Sequence, residues 1–115
     1  MLNDLFANGK TVSAFPVKAF YVMADGATEM KTGVGVSSRN FKKAVDRNRI
    51  KRLLRECYRL NKQSLQAAVM EKQKGLSVFF LFIGKELPEY AMLNEKMIAV
   101  MKKLETVIIQ PSVKE

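Results

Sequence analysis

Histidine is absent from this 115-residue chain, and cysteine occurs once, at Cys57. One cysteine cannot form an internal disulfide. Without histidine there is no zinc site of Cys and His type, no Ser-His-Asp triad and no Cys-His dyad. No apolar run approaches the roughly 20 residues that cross a bilayer as a helix. Residues 1–10 lack the basic flank and apolar run of a signal peptide. A cytoplasmic protein without structural metal and without a membrane partner is therefore expected. Glycine and proline are also scarce, at 6 and 3 residues, while 48% of the chain is hydrophobic. Such a composition favours a packed domain over disorder, and the length suits a single domain spanning residues 1–115.

Acidic residues are few, 11 against 20 basic ones, and the net charge is +9. Its distribution is more informative than its size. Residues 39–62 contain ten basic and two acidic side chains, a balance of +8. Nearly the whole excess thus sits in one fifth of the chain. Concentrated charge of one sign is the footprint of a polyanion binder.

The hydrophobic periods divide the chain into elements. A short helix is expected at residues 2–6, closing near Asn8 and Gly9. Residues 11–24 alternate as one or two strands broken near Pro16. The alternation sets Lys18 and Phe20 on one face, with Phe15 and Tyr21 on the other. Asp25-Gly26 marks a turn, and residues 31–38 (KTGVGVSS) read as another strand. The basic segment at 39–62 reads as an amphipathic helix, its period clear from about Ala44 and its end expected near Gly75. Residues 76–83 (LSVFFLFI) read as a central buried strand. Pro88 suits the first turn of a last helix, whose apolar stripe is Leu93, Met97, Val100, Met101, Leu104, Val107 and Ile108. Glu86 and Glu89 suit its N-terminus. The implied fold is α+β, a small mixed sheet of about four strands packed by helices.

On a wheel with Arg47 at 0° and about 100° per residue, Ile50, Leu53, Leu54, Cys57 and Tyr58 span about 240° to 20°. Arg47, Lys51, Arg55, Asn48, Arg59, Arg52 and Arg49 fill about 0° to 200°. One face is apolar and the other almost purely cationic. Such crowded charges repel, and Glu56 is the one nearby carboxylate that relieves them. An ordinary solvated face would mix signs. A phosphate backbone relieves the repulsion and releases counterions, and the arginine fork suits phosphate and base stacking. Arg39, Lys42 and Lys43 extend the basic set on its N-terminal side. Asn48 sits within the cationic arc, placed to meet a base edge or sugar hydroxyl, or to stand by.

Residues 44–56 (AVDRNRIKRLLRE) closely resemble the signature of the protein component of bacterial ribonuclease P. The Arg47-Asn48-Arg49 core followed by Lys51, Arg52 and Arg55 carries the likeness. Phe6 with Gly9 resembles the end of the family's first helix, residues 17–20 its strand, Ser38-Arg39 its Ser-Lys pair, and residues 76–83 its last strand. Asn40 stands where the family commonly has lysine, and Lys42 where it commonly has glycine. The resemblance implies a left-handed β-α-β crossover, against the usual hand. It implies a protein subunit that binds a catalytic RNA and the 5′ leader of precursor tRNA, with hydrolysis left to the RNA and its Mg2+. No catalytic residue and no metal site are expected in the protein itself. It further implies a leader-binding cleft formed by Phe6, Lys18, Phe20, Ser38, Ala44, Arg47, Asn48 and Lys51.

Other readings are weaker. For Phe6, Phe15, Phe20 and Tyr21 individually, core packing is the simpler role. A DNA-binding module lacks a helix-turn-helix pair ahead of the basic helix, so DNA is not an expected partner. A stand-alone nuclease lacks a carboxylate cluster among Asp4, Asp25, Glu29, Asp46 and Glu56. A basic ribosomal or other structural RNA-binding protein shares the composition and remains the alternative.

Overall fold

The computed structural model describes residues 10–109. Phe6 and the helix expected at residues 2–6 lie outside the described residues. The elements are β1 (Lys10–Ala14), β2 (Val17–Asp25), β3 (Met30–Val36), α1 (Ala44–Lys72), β4 (Lys74–Phe82) and α2 (Tyr90–Ile109). The strands form one sheet in the order β1-β2-β4-β3. β4 pairs antiparallel with β2 and parallel with β3, so the sheet is mixed. The parallel pair requires a crossover, which α1 supplies.

Alternation decides which side of the sheet is covered. Val17, Ala19 and Tyr21 of β2 and Leu76, Val78, Phe80 and Phe82 of β4 are buried. They share one core with Ile50, Leu54, Cys57 and Leu65 of α1 and Leu93, Met97, Val100 and Leu104 of α2. Every residue expected on the α2 stripe is buried or packed against that core. The opposite face carries Lys18 and Phe20, with Phe79 and Leu81 as their register partners on β4. These four are half-buried. β4 is thus central, as its apolar run implies, but only its core face is fully buried among the described residues. Phe15 does not share a strand face with Tyr21. It sits in the β1–β2 turn, 69% exposed, because the two-residue turn at Phe15-Pro16 ends the alternation.

The helix boundaries differ from the sequence reading in three places. Residues 39–43 are turn and extended chain rather than helix, because Phe41 inserts into the core against Phe82, their ring centroids 6.0 Å apart. α1 closes at Gln73, which adopts the left-handed conformation and donates its N–H to the Val69 carbonyl. Gly75 belongs instead to β4, where a Cβ would lie 2.7 Å from that of Ala27. Pro88 precedes α2 by two residues, since the Leu93 N–H already donates to the Glu89 carbonyl. No helix among the described residues is long and apolar enough to cross a membrane.

The two glycines of β3 have a packing reason. The Phe79 ring lies over both: a Cβ would come 2.9 Å from it at Gly33 and 2.5 Å at Gly35. Gly35→Ala is therefore expected to cost about 1–3 kcal/mol through overpacking, read by urea unfolding. Adding Phe79→Leu should recover part of that loss. An unchanged Gly35→Ala midpoint would show that the ring does not press on β3.

Candidate nucleic-acid interface

α1 buries its stripe at Ile50, Leu54 and Cys57 and leaves Asn48, Arg49, Arg52, Arg55 and Arg59 exposed. Lys51 and Arg47 are half-buried. The stripe has two borders. On one, Tyr58 packs on Phe80 with ring centroids 5.8 Å apart, and its hydroxyl lies on the side of Thr32 of β3. Burial pushes its hydroxyl pKa up, and the Lys62 ammonium lies 5.9 Å from its ring. Within the stripe itself, the Asn61 amide donates to Cys57 O and Asn94 Oδ1, joining α1 to α2. The Tyr58 border therefore runs along β3. Helical spacing puts Arg47, Lys51 and Arg55 on that border, and Arg49, Arg52 and Arg59 farther round the exposed arc.

Cys57 is buried in the stripe. Burial pushes its thiol up to about 11, aided by the charge of Glu56. It is an inert core thiol rather than a nucleophile.

Among the described residues, Arg47 and Arg59 have protein partners. Arg47 Nη1 donates to the carbonyls of Phe41 and Lys42 at 2.8 and 2.9 Å. It clasps the segment carrying Arg39, Lys42 and Lys43, all three of which are exposed. Arg59 grips Glu56 with both ends of its fork, Nε to Oε1 at 3.2 Å and Nη2 to Oε2 at 2.7 Å. That hydrogen bond holds the Glu56 carboxyl below its ordinary range. An RNA reaching Arg59 must compete with this carboxylate, although an exposed pair adds little stability.

The residues expected in the leader cleft fall into two groups. Lys18 and Phe20 lie on the open sheet face, with the Lys18 ammonium 5.2 Å from the Phe20 ring centre. Leu81, opposite Lys18, also lines a cavity of about 580 Å³ with Ser37, Ser38, Arg39, Asn40, Ile83 and Lys85. Ser38 and the Lys18–Phe20 face are thus connected through Leu81. Ala44, Arg47, Asn48 and Lys51 do not line this cavity. They belong to α1, which packs on the other side of the sheet, so they reach the open face only around β3.

The sequence reading missed Phe79, Leu81 and Lys85. Every position from Val78 to Ile83 is apolar, so no alternation separates the two faces of β4. The available signal is the pair Gly33 and Gly35, whose missing side chains mark a ring lying across the strand.

A family model described as Ribonuclease P matches residues 3–105. The ribonuclease P protein component of Porphyromonas gingivalis is 34% identical over 98 residues, covering 84% of this chain and 72% of that protein. That of Chlorobium phaeobacteroides is 30% identical over 116 residues, covering 90% and 80%. The fold is similar to the ribonuclease P protein of Thermotoga maritima, with a TM-score of 0.70, 22% identity and 89% of each chain covered. It is equally similar to that of Staphylococcus aureus, with a TM-score of 0.70, 16% identity and coverage of 89% and 86%. The basic signature on α1, the mixed sheet that carries it and these likenesses agree: the chain belongs to the ribonuclease P protein family and is a protein subunit of that endoribonuclease.

Proposed function

We propose that this subunit performs no bond cleavage itself and serves a catalytic RNA in two ways. It binds that RNA, and it holds the 5′ leader of precursor tRNA during leader removal in the cytoplasm. The observation that carries the reading is the cationic arc of α1. From Arg47 to Lys62 it has one carboxylate, Glu56, among its cations. Its sequence-independent attraction is for phosphate. The open sheet face adds Phe20, its ring beside Lys18, and Phe79, the register partner of Phe20, both half-buried, which suits single-stranded bases rather than a duplex. The Mg2+ chemistry of hydrolysis belongs to the RNA subunit. The protein's part is to raise the local concentration of substrate and neutralise crowded phosphates.

The test is reconstitution. Precursor tRNA and a bacterial ribonuclease P RNA at low Mg2+ should give cleaved leader only when the protein is added, and the protein alone should give none. Cleavage by the protein alone would assign the chemistry to its own side chains. Failure to support the RNA would return the chain to a purely structural RNA-binding role.

A further inference from the structure

Arg59 differs from the other arginines of the cationic arc. Among the described residues, Arg49, Arg52 and Arg55 pair with no carboxylate, whereas Arg59 pairs with Glu56. The pairing is specific about which edge of the fork it uses. Glu56 accepts from Nε at 3.2 Å and from Nη2 at 2.7 Å, the side edge of the guanidinium. The end edge, with one N–H on each Nη, remains available. The pair is still open to solvent. Its surroundings are apolar. Leu60, one turn after Glu56, is exposed. Tyr90, at the start of α2, is also exposed, and its hydroxyl is near enough to act on the Arg59 charge. Helix α2 is held at this place, because Asn94, one turn after Tyr90, accepts from Asn61 at 2.8 Å.

From this geometry we infer that Arg59, positioned by Glu56, reads the O6 and N7 edge of one unpaired guanine in the catalytic RNA, with Tyr90 and Leu60 beside the base plane. A carboxylate-bound guanidinium keeps its directed N–H donors but carries no net charge as a pair. A phosphate at its open edge would meet the Glu56 carboxylate nearby and gain little from counterion release. Guanine is neutral and offers two acceptors at the spacing of the fork. In RNA that edge is reachable on unpaired bases, which also lie against aromatic and apolar side chains. The other arginines of the arc supply attraction that ignores sequence, and this one supplies a choice of base. The inference rests on the proposed binding of catalytic RNA and names the chemical group that one part of that surface recognises.

The experiment measures affinity of the full chain for a bacterial ribonuclease P RNA across a salt series. The double variant Glu56→Gln with Arg59→Gln conserves net charge and changes only exposed side chains, so its urea midpoint should match wild type. Its affinity should fall roughly tenfold, the scale of one bidentate base contact, with the slope of log affinity against log salt unchanged. Arg59→Lys keeps the charge but loses the fork, and should bind no better than the double variant. RNA carrying sparse 7-deazaguanosine, which lacks N7, is then divided into bound and free fractions. Substitution at one guanine should exclude RNA from the wild-type complex and be tolerated by the double variant. A double variant that binds like wild type, a slope flattened by about one unit as for a lost phosphate contact, full affinity in Arg59→Lys, or the same interference pattern for both proteins would overturn the guanine reading while leaving binding of catalytic RNA intact. Wild-type protein with no affinity for the RNA would overturn that binding, and the guanine reading with it.

Discussion

Leu54→Asp is expected to abolish cooperative unfolding and RNA binding together. Leu54 is fully buried in the α1 stripe. A carboxylate there would lose its water without gaining a partner, since no buried polar or charged side chain lies in the described core. The cost is several kcal/mol, against about 5–15 kcal/mol of total stability for a typical domain. The effect reaches RNA because α1 does two jobs at once: the stripe that packs the core fixes the orientation of the cations on its other side. Leu60→Asp is the matched control. Leu60 is on the same helix but 53% exposed, so it should shift stability by no more than about 0.5 kcal/mol. Circular dichroism during urea unfolding reads both variants. A Leu54→Asp protein that unfolds like wild type would refute the packing of α1 described above.

The parts of this architecture legible in the sequence are those with a period of their own. Ile50, Leu54 and Cys57 announce their face by helical spacing, and Leu93 through Ile108 do the same for α2. Val17, Ala19 and Tyr21 alternate with Lys18 and Phe20, which is enough to pair the last two on one face. What stayed hidden depends on chain path. Phe79 and Phe80 are identical in type, yet one lies on the open face and one in the core, which only strand register decides. Arg47 looks like its cationic neighbours, but the carbonyls of Phe41 and Lys42 come within reach because Phe41 dives into the core. Gln73 ends α1 where Gly75 looks the better terminator, because Gly75 is needed two residues on for close packing with Ala27. Lys85 carries no local mark at all. Its place beside Arg39 follows from the Asn40–Gly84 hydrogen bond, 44 positions apart in sequence.

The two cationic edges of α1 are expected to meet different RNAs. Lys51, on the β3 border, would work with Phe20 of the open face on the leader. Arg49 and Arg52, exposed farther round, would meet the catalytic RNA. Arg59 is a poorer probe because Glu56 already occupies its fork. Phe20→Ala removes one stacking surface, worth roughly 1–3 kcal/mol per base. Lys51→Ala removes one charge. Neither should alter affinity for mature tRNA, which has no leader. Arg49→Gln with Arg52→Gln should weaken assembly with the catalytic RNA and flatten its log affinity against log salt by about one to two units. The deciding measurement is the affinity of the assembled complex for precursor and mature tRNA, beside protein affinity for the catalytic RNA, across these variants. Precursor-specific loss is expected for Phe20→Ala and Lys51→Ala, and assembly loss for the arginine pair. Loss of all affinities in the same proportion for every variant would make α1 one undivided electrostatic surface and end the two-edge division.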